Sequence, residues 1–355
     1  MSVPEAKRVC VTGCTGFLGS WIVKYALDAG FEVHGTTRSG KKVEFLHKLE
    51  GASERLKLFT GCDLLEKGSF DEAIKGCRTV IHSASPFIRL SDESARDKLV
   101  EPAVAGTRNV LESCEKLGVE KVVLTASIAN IYIMYGAKPP EYVYTEEDWT
   151  DEKVLEEKKN FYGLSKLLAE KTAWEMAKSS SFKLAALNPS FIYGPMLPGL
   201  PELNTSSVSV LAYFGAPKIK QANACITDVR DVALAHVNAA QQDLDWKGWG
   251  ERFLLIGGAP MPEEIVQVLR ESSKVDDEHK KELPTELDPK LPAPGSGAPP
   301  PHRTRYNVEK SLKPTSEGGL GLGQYRNYKE QVESAYESLI ANGFTSKDMY
   351  KLDKE

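Results

Sequence analysis

The sequence contains little that would suit an extracellular, membrane-spanning or nucleic-acid-binding protein. Six cysteines in 355 residues are too few for a disulfide scaffold, and none forms a CxxC pair or a Cys/His cluster with zinc-site spacing. No apolar run approaches the roughly 20 residues that a membrane span needs, and residues 1–7 lack the layout of a signal peptide. The formal net charge of −5 includes no basic block for nucleic acid. We therefore expect a cytoplasmic protein that binds no metal.

What the sequence does contain is an alternation of short apolar runs with helical patterns. The alternation predicts strands at 9–11, 31–37, 57–60, 79–82, 121–126 and 183–188, and helices at 17–29, 98–117, 161–178, 228–241 and 327–341. Continuous apolar strands separated by helices are typical of a parallel sheet that is covered on both faces. We therefore predict an α/β fold, a Rossmann-type doubly wound parallel sheet.

A glycine-rich segment, TGCTGFLG at 12–19, follows the first predicted strand and opens the first predicted helix. Its three glycines would allow a tight turn, close approach of a pyrophosphate to the backbone, and packing of the helix near the strand. The free N–H groups of the helix N-terminus would then face the phosphates. The segment predicts a dinucleotide site at Gly13, Thr15, Gly16, Phe17, Leu18 and Gly19.

The end of the second predicted strand favours NADP(H) over NAD(H). Arg38 and Lys42 lie there, and no carboxylate occurs between Val33 and Val43. Arginine suits a 2′-phosphate because its guanidinium donates paired, charge-assisted hydrogen bonds, whereas a carboxylate would repel that phosphate. Further cofactor contacts are predicted after the third, fourth and fifth strands, at Asp63, Leu64, Ser83, Ala84, Ser85 and Thr125.

Tyr162 and Lys166 form a YxxxK pair on one face of a predicted helix. A lysine ammonium beside a phenol favours the phenolate, so we expect it to lower the tyrosine pKa and allow acid–base catalysis. Ser127 follows the fifth predicted strand and would orient a substrate carbonyl, with Thr125 as a weaker candidate. We therefore predict Ser127, Tyr162 and Lys166 as the catalytic residues.

These motifs together resemble the extended short-chain dehydrogenase/reductase family, within it the branch of dihydroflavonol reductases, cinnamoyl-CoA reductases and microbial aldehyde or ketone reductases. The resemblance rests on TGCTGFLGSW, on Ser127 paired with YGLSK, and on LLAEKTAW, NPSFIYGP and DVRDVALAHV; it covers about residues 7–260. The branch has a substrate-orienting asparagine five residues after the serine, where this chain has Tyr132. The signature of the cinnamoyl-CoA reductases, NWYCYGK, is replaced by NFYGLSK here, at 160–166, which argues against a CoA ester as substrate.

The resemblance implies NADPH-dependent reduction of an aldehyde or ketone (aliphatic, aromatic or flavonoid-like) to an alcohol. It implies a Rossmann domain at 1–190, rejoined by 225–257, and a smaller C-terminal substrate-binding lobe. That lobe would comprise 191–224 and 258–355, including a proline-rich loop at 283–301. Lys166 would also hold the nicotinamide ribose, with Pro189 and Ser190 near the nicotinamide.

The predicted partner is a small-molecule carbonyl substrate, in a pocket with apolar and aromatic walls and one polar catalytic end. Candidate substrate contacts are Phe87, Ile128, Asn130, Tyr132, Tyr193, Met196, Tyr213 and Phe214. The sequence leaves monomer and homodimer open.

Two other functions remain open. A nucleotide-sugar epimerase or dehydratase of the same family would mostly retain NAD, and Arg38 argues against that cofactor. A non-catalytic NADP sensor would commonly lack the tyrosine and the lysine, and this chain has both Tyr162 and Lys166.

Overall fold

Seven strands form one parallel sheet in the computed structural model, which describes residues 7–41, 43–85, 95–132, 138–200, 209–219, 225–288 and 303–345. The strands among the described residues, including those of two small two-stranded sheets, are in chain order β1 (Arg8–Thr12), β2 (Glu32–Thr36), β3 (Leu56–Phe59), β4 (Thr79–His82), β5 (Lys121–Thr125), β6 (Val143–Tyr144), β7 (Lys183–Pro189), β8 (Phe191–Tyr193), β9 (Ile226–Asp228), β10 (Arg252–Leu255) and β11 (Arg305–Tyr306).

The order of strands across the large sheet is β10-β7-β5-β4-β1-β2-β3, and every neighbouring pair is parallel. The chain therefore starts in the middle of the sheet, builds outward through β2 and β3, and then returns to build the other half from β4. This is the doubly wound order, in which ligands bind at the carboxyl ends of the strands where the order reverses. Here that reversal lies between β1 and β4.

Twelve α-helices are present among the described residues, and the longer ones cover the two faces of the sheet. They are α1 (Phe17–Asp28), α2 (Glu44–His47), α3 (Ala52–Arg55), α4 (Asp71–Ile74), α5 (Ala95–Lys116), α6 (Glu152–Glu157), α7 (Phe161–Ala177), α8 (Val229–Ala240), α9 (Pro262–Glu271), α10 (Asp277–Lys281), α11 (Glu309–Leu312) and α12 (Tyr328–Ala341). Helix α1 packs beside α8, and α5 packs beside α7. Two apolar cores result, one containing α1 and α8 and the other containing α4 and α5.

The predicted Rossmann-type fold is confirmed. All the predicted strands and helices occur, and their bounds differ from the prediction by at most three residues. The central strands are recognisable because they are buried on both faces: all four residues of β4 are buried, as are the first four of β5. The four-residue strand β10 was not predicted as a separate strand, since RFLL is too short to show a period.

The residues after β7 share a core with the sheet. One apolar cluster joins Val11 and Ile22 to Phe214, Leu269 and Tyr336. The division into a Rossmann domain and a substrate lobe therefore stays a prediction, and the proline-rich residues 289–302 lie outside the described part of the chain. None of the described helices is both long enough and apolar enough to cross a membrane.

The turn between β1 and α1 is held by close contact between its own backbone segments. Gly13 has a φ of 69°, which favours glycine, and a Cβ at this position would lie 3.1 Å from Ala84 Cα. A Cβ on Gly19 would lie only 2.1 Å from the carbonyl oxygen of Gly13. The first turn of α1 can pack against the glycine loop because residue 19 has no side chain.

We expect Gly19→Ala to lower the free energy of unfolding by about 1–3 kcal/mol, as overpacking does, and to abolish dinucleotide binding because the loop must move. Urea unfolding and a cofactor-binding titration measure the two effects.

The matched control is Gly118→Ala, at a glycine with a φ of 70° and no atom within 4 Å of its would-be Cβ. It should cost about 1 kcal/mol through backbone strain alone and leave cofactor binding unchanged. Equal loss of cofactor binding in both variants would contradict the packing argument.

Candidate active site

The loop after β4 is joined to the glycine loop by hydrogen bonds from Thr12. The Thr12 hydroxyl accepts from the backbone N–H groups of Ser83 (3.1 Å) and Ala84 (3.0 Å), and Ser83 Oγ donates to the Thr12 carbonyl (2.7 Å). The Thr12 hydroxyl in turn donates to Nδ1 of His82 at 2.9 Å. The predicted cofactor residues Ser83, Ala84 and Ser85 therefore lie beside the glycine loop, as a dinucleotide site requires.

The N-terminus of α1 is suited to bind an anion. Its N-cap residue, Gly16, provides no side-chain cap, and the first turn contains no acidic residue. The N–H groups of Phe17 and Leu18 are not used by a cap, so they can donate to a pyrophosphate. The loop and the uncapped helix together fit the phosphates of a dinucleotide.

Arg38 lies at the carboxyl end of β2, on the same edge of the sheet as the glycine loop. It is exposed just beyond β2, and no described residue forms a hydrogen bond or ion pair with its guanidinium. The Thr15 and Thr37 hydroxyls lie 3.5 Å apart, so the loop bearing Arg38 adjoins the glycine loop. This position suits a 2′-phosphate. The other predicted basic residue, Lys42, lies outside the described residues.

Asp63 and Leu64 follow β3 at the same edge of the sheet. One carboxylate oxygen of Asp63 accepts from the backbone N–H of Leu65 at 2.8 Å, which fixes the orientation of the carboxylate. Leu64 packs against Gly106 of α5, where a Cβ would lie 2.9 Å from the leucine side chain. Both predicted residues therefore lie in an ordered turn at the carboxyl edge of the sheet.

The three predicted catalytic residues come together at the carboxyl end of β5. The hydroxyl of Ser127 accepts from the N–H of Ala129 at 3.1 Å and is hydrogen-bonded to the Tyr162 hydroxyl. The Lys166 ammonium lies one helical turn beyond Tyr162, 5.8 Å from the centroid of its ring. No described residue forms a hydrogen bond or ion pair with that ammonium. Tyr162 itself remains 37% exposed.

The pKa of Tyr162 differs from the expectation. The low-dielectric surroundings of the ring raise its pKa above the ordinary value, and only the hydrogen bond from Ser127 acts in the opposite direction. The expected lowering by Lys166 is therefore not what this structure shows, because desolvation is the largest influence on the pKa of Tyr162. At neutral pH Tyr162 holds its proton.

Burial lowers the pKa of Lys166 to about 8, because the ammonium is desolvated. His82 lies near enough for the charge of Lys166 to contribute to lowering its pKa to about 4, although burial is the larger cause. Lys166 is thus mainly protonated at neutral pH, while His82 is neutral.

Three predicted residues at neighbouring strand ends, Thr125, Pro189 and Ser190, complete this edge. Thr125 donates its hydroxyl to Nε2 of the buried His236 at 2.8 Å, so its proton is used away from Tyr162. Pro189 ends β7, and Ser190 follows with a buried hydroxyl that has no hydrogen-bond partner among the described residues. An orphaned hydroxyl beside the catalytic residues fits a polar group of a bound ligand.

The predicted substrate contacts do not all face the same space. Ile128 and Tyr132 are half-buried just beyond Ser127. Asn130 is fully buried and donates to Glu170 and to the Lys166 carbonyl, so in this structure it cannot reach a substrate. Three further candidates, Tyr193, Met196 and Phe214, are buried in the main apolar core, and Tyr213 packs half-buried against it. The eighth candidate, Phe87, lies outside the described residues.

Several residues that the sequence analysis missed support the site. Thr12 ties two loops together, and Glu170, Asn188 and Arg252 form a buried hydrogen-bonded group behind the catalytic helix. The one available signal was the position of Glu170, four residues after Lys166 and thus on the same helix face. Among the described residues, no group of His, Cys, Asp or Glu side chains could hold a metal ion.

Comparison with known proteins supplies the context for this geometry. The family model of the NAD dependent epimerase/dehydratase family matches residues 9–244. A cinnamoyl-CoA reductase of Medicago truncatula is 37% identical over 347 residues, which cover 94% of this chain and 97% of that protein.

Two solved structures are also similar. Yeast methylglyoxal/isovaleraldehyde reductase Gre2 complexed with NADPH has a TM-score of 0.78 and 29% identity, covering 95% of this chain and 99% of that one. Vestitone reductase from alfalfa has a TM-score of 0.73 and 27% identity, with coverage of 95% and 99%.

We expect the ammonium of Lys166 to titrate near pH 8, because burial disfavours its charged form. Competitive labelling with acetic anhydride across a pH series, read peptide by peptide in the mass spectrometer, measures this midpoint. Lysines at their ordinary value, near 10.4, provide the reference in the same digest. A Lys166 midpoint at or above that value would contradict the desolvation argument.

Proposed function

The chain belongs to the NAD dependent epimerase/dehydratase family, the extended short-chain dehydrogenases/reductases, and is an NADP-dependent oxidoreductase that acts on carbonyl groups; from that premise we propose that it reduces small apolar aldehydes or ketones at Ser127, Tyr162 and Lys166. The observation that carries the proposal is the convergence of these three side chains at the carboxyl end of β5, on the edge of the sheet that bears the uncapped N-terminus of α1.

Tyr162 is the proton donor in this proposal. Its raised pKa keeps the phenol protonated at neutral pH, so a proton is available for a substrate oxygen. The Ser127 hydroxyl accepts from the N–H of Ala129 and lies in hydrogen-bond contact with the Tyr162 hydroxyl, so both hydroxyls can donate to the same substrate oxygen. Lys166 supplies a positive charge that stabilises the phenolate left after proton transfer.

The cofactor is NADP(H), and when bound it supplies the hydride. We assign its pyrophosphate to the glycine loop and the N-terminus of α1, and its 2′-phosphate to Arg38. Asp63 and the small residues after β4 lie where the adenosine would pack, and Ser190 offers an unpartnered hydroxyl at the nicotinamide end.

An apolar carbonyl substrate fits the side chains beyond Ser127. Ile128 and Tyr132 are half-buried there, and Tyr132 packs edge-on against Tyr144 with ring centroids 5.0 Å apart. The relatives' names include reductases of cinnamoyl-CoA, of methylglyoxal and isovaleraldehyde, and of vestitone. A panel of aliphatic and aromatic aldehydes, diketones, a dihydroflavonol and cinnamoyl-CoA, followed by NADPH absorbance, tests the class. Turnover confined to the CoA ester would overturn the proposed substrate.

Tyr162→Phe should lower kcat by about 10²–10⁴-fold, the usual contribution of general acid–base catalysis, with little change in the dissociation constant of NADPH. Stopped-flow NADPH oxidation and a fluorescence titration measure the two quantities. Tyr325→Phe is the matched control, since it removes a buried tyrosine hydroxyl that bonds Ser311 instead. A fully active Tyr162→Phe would overturn the catalytic assignment.

Arg38→Ala should weaken NADPH binding by about 10- to 100-fold, the loss expected for hydrogen bonds to a charged group, and leave NADH binding unchanged. Lys41→Ala removes a neighbouring exposed cation and serves as the control. The ratio of kcat/KM for NADPH and NADH reports the preference in all three proteins. An unchanged ratio in Arg38→Ala would show that the 2′-phosphate is bound elsewhere.

A further inference from the structure

A buried carboxylate lies directly behind the catalytic residues. Glu170 is on α7, one helical turn after Lys166, and its side chain is completely inaccessible. It accepts hydrogen bonds from four side chains: Asn130 (2.6 Å), Asn188 (2.9 Å), Arg252 (2.7 Å) and Trp174 (3.1 Å). These donors come from different parts of the sequence, so the carboxylate links several elements at one point.

Two of the donors connect Glu170 to the backbone of catalytic residues. The side-chain amide of Asn188 donates to Glu170 Oε2 and, with its second hydrogen, to the carbonyl of Ser127 at 3.1 Å. The amide of Asn130 likewise donates to Glu170 Oε2 and to the carbonyl of Lys166 at 3.2 Å. Each asparagine therefore joins the carboxylate to one catalytic residue.

The chemistry of the carboxylate decides which way both amides point. An ionised carboxylate only accepts hydrogen bonds, so the nitrogen of each amide must face it. The two amide oxygens are left buried without a partner among the described residues. Unsatisfied buried polar atoms are costly and uncommon, so the arrangement is poorer than simple packing would provide.

Arg252 connects the same carboxylate to β10, the outermost strand on one side of the large sheet. It is 9% exposed, lies on β10, and donates to the carbonyls of Glu146 (2.6 Å) and Asp148 (2.7 Å). Its guanidinium carbon lies 3.6 Å from the centroid of the Trp149 ring. Arg252 thus contacts the segment 146–149, which continues to Thr150. The Thr150 hydroxyl donates to the carbonyl of Ala129 at 2.7 Å, and Ala129 lies two residues after Ser127.

We propose that Glu170 is a positioning residue, which sets the placement of Ser127 relative to Tyr162 and Lys166 through Asn188 and Asn130. Ser127 belongs to the strand layer, whereas Tyr162 and Lys166 belong to a covering helix, and the carboxylate joins the two layers by hydrogen bonds of fixed direction. The inference rests on the proposed function of these three residues. A role in stability alone is the competing explanation.

Glu170→Gln tests the proposal, since it keeps the shape of the side chain and removes the charge that all four donors share. We expect kcat to fall by about 10- to 100-fold, the loss associated with displacement of reacting groups by about 1 Å, with the NADPH dissociation constant unchanged. With NADPH deuterated at the transferred position, the isotope effect on kcat should rise, because the chemical step becomes slower than product release.

Asp231→Asn is the matched control for stability. Asp231 is also a buried carboxylate, paired with Arg326, but it lies on α8, on the opposite face of the sheet from α7. Both variants should lower the melting temperature, whereas Asp231→Asn should keep kcat within about threefold of the parent. Activities are compared at a temperature where circular dichroism shows both proteins folded.

Asn188→Ala decides the question if Glu170→Gln does not fold, because it breaks the link to Ser127 and leaves the Glu170–Arg252 pair in place. It should lower kcat by about tenfold and raise the isotope effect. Folded Glu170→Gln or Asn188→Ala protein with parental kcat and isotope effect would overturn the positioning role. An active Tyr162→Phe would instead overturn the proposed function itself.

Discussion

Seven parallel strands end at one edge of the sheet, and the whole candidate site depends on that constraint. A parallel arrangement sends every return connection over a face of the sheet, so the loops that follow the strands meet at the same edge. The glycine loop follows β1, Arg38 follows β2, Asp63 follows β3 and Ser127 follows β5. Residues far apart in the sequence are thus brought together without any direct contact between their loops being required.

The electrostatics of this edge follow from burial. Lys166 is desolvated and its pKa falls to about 8, while burial lowers the pKa of His82 to about 4 and raises that of Tyr162. Lys166 is consequently the charged member of this trio at neutral pH, and the other two are neutral. A protonated imidazole near the ammonium would lower the pKa of Lys166 further, so the neutral His82 helps to keep the lysine charged.

The features that were predictable from the sequence are those encoded locally. The glycine spacing and the Tyr162–Lys166 spacing each lie within a single turn or helix, so neighbouring residues reveal them. The environment of Asn130 was not predictable, because its partner Glu170 is 40 residues away. The burial of Met196 and Tyr193 was not predictable for the same reason: both lie in a core shared with residues of α9 and α12, and the backbone N–H of Met196 donates to Ser338 of α12, 142 residues away.

The group around Glu170 illustrates why a polar connection is used where apolar packing would give at least equal stability. A buried ion pair such as Glu170–Arg252 contributes little net stability compared with well-packed apolar side chains. Apolar contacts, however, tolerate small sliding of a helix over a sheet, whereas hydrogen bonds weaken steeply when distance or angle changes. Catalysis needs Tyr162, on a helix, and Ser127, after a strand, to remain in hydrogen-bond contact. Directional bonds between these two layers meet that need, and the amide oxygens of Asn130 and Asn188, which find no partner among the described residues, are the energetic cost of the arrangement.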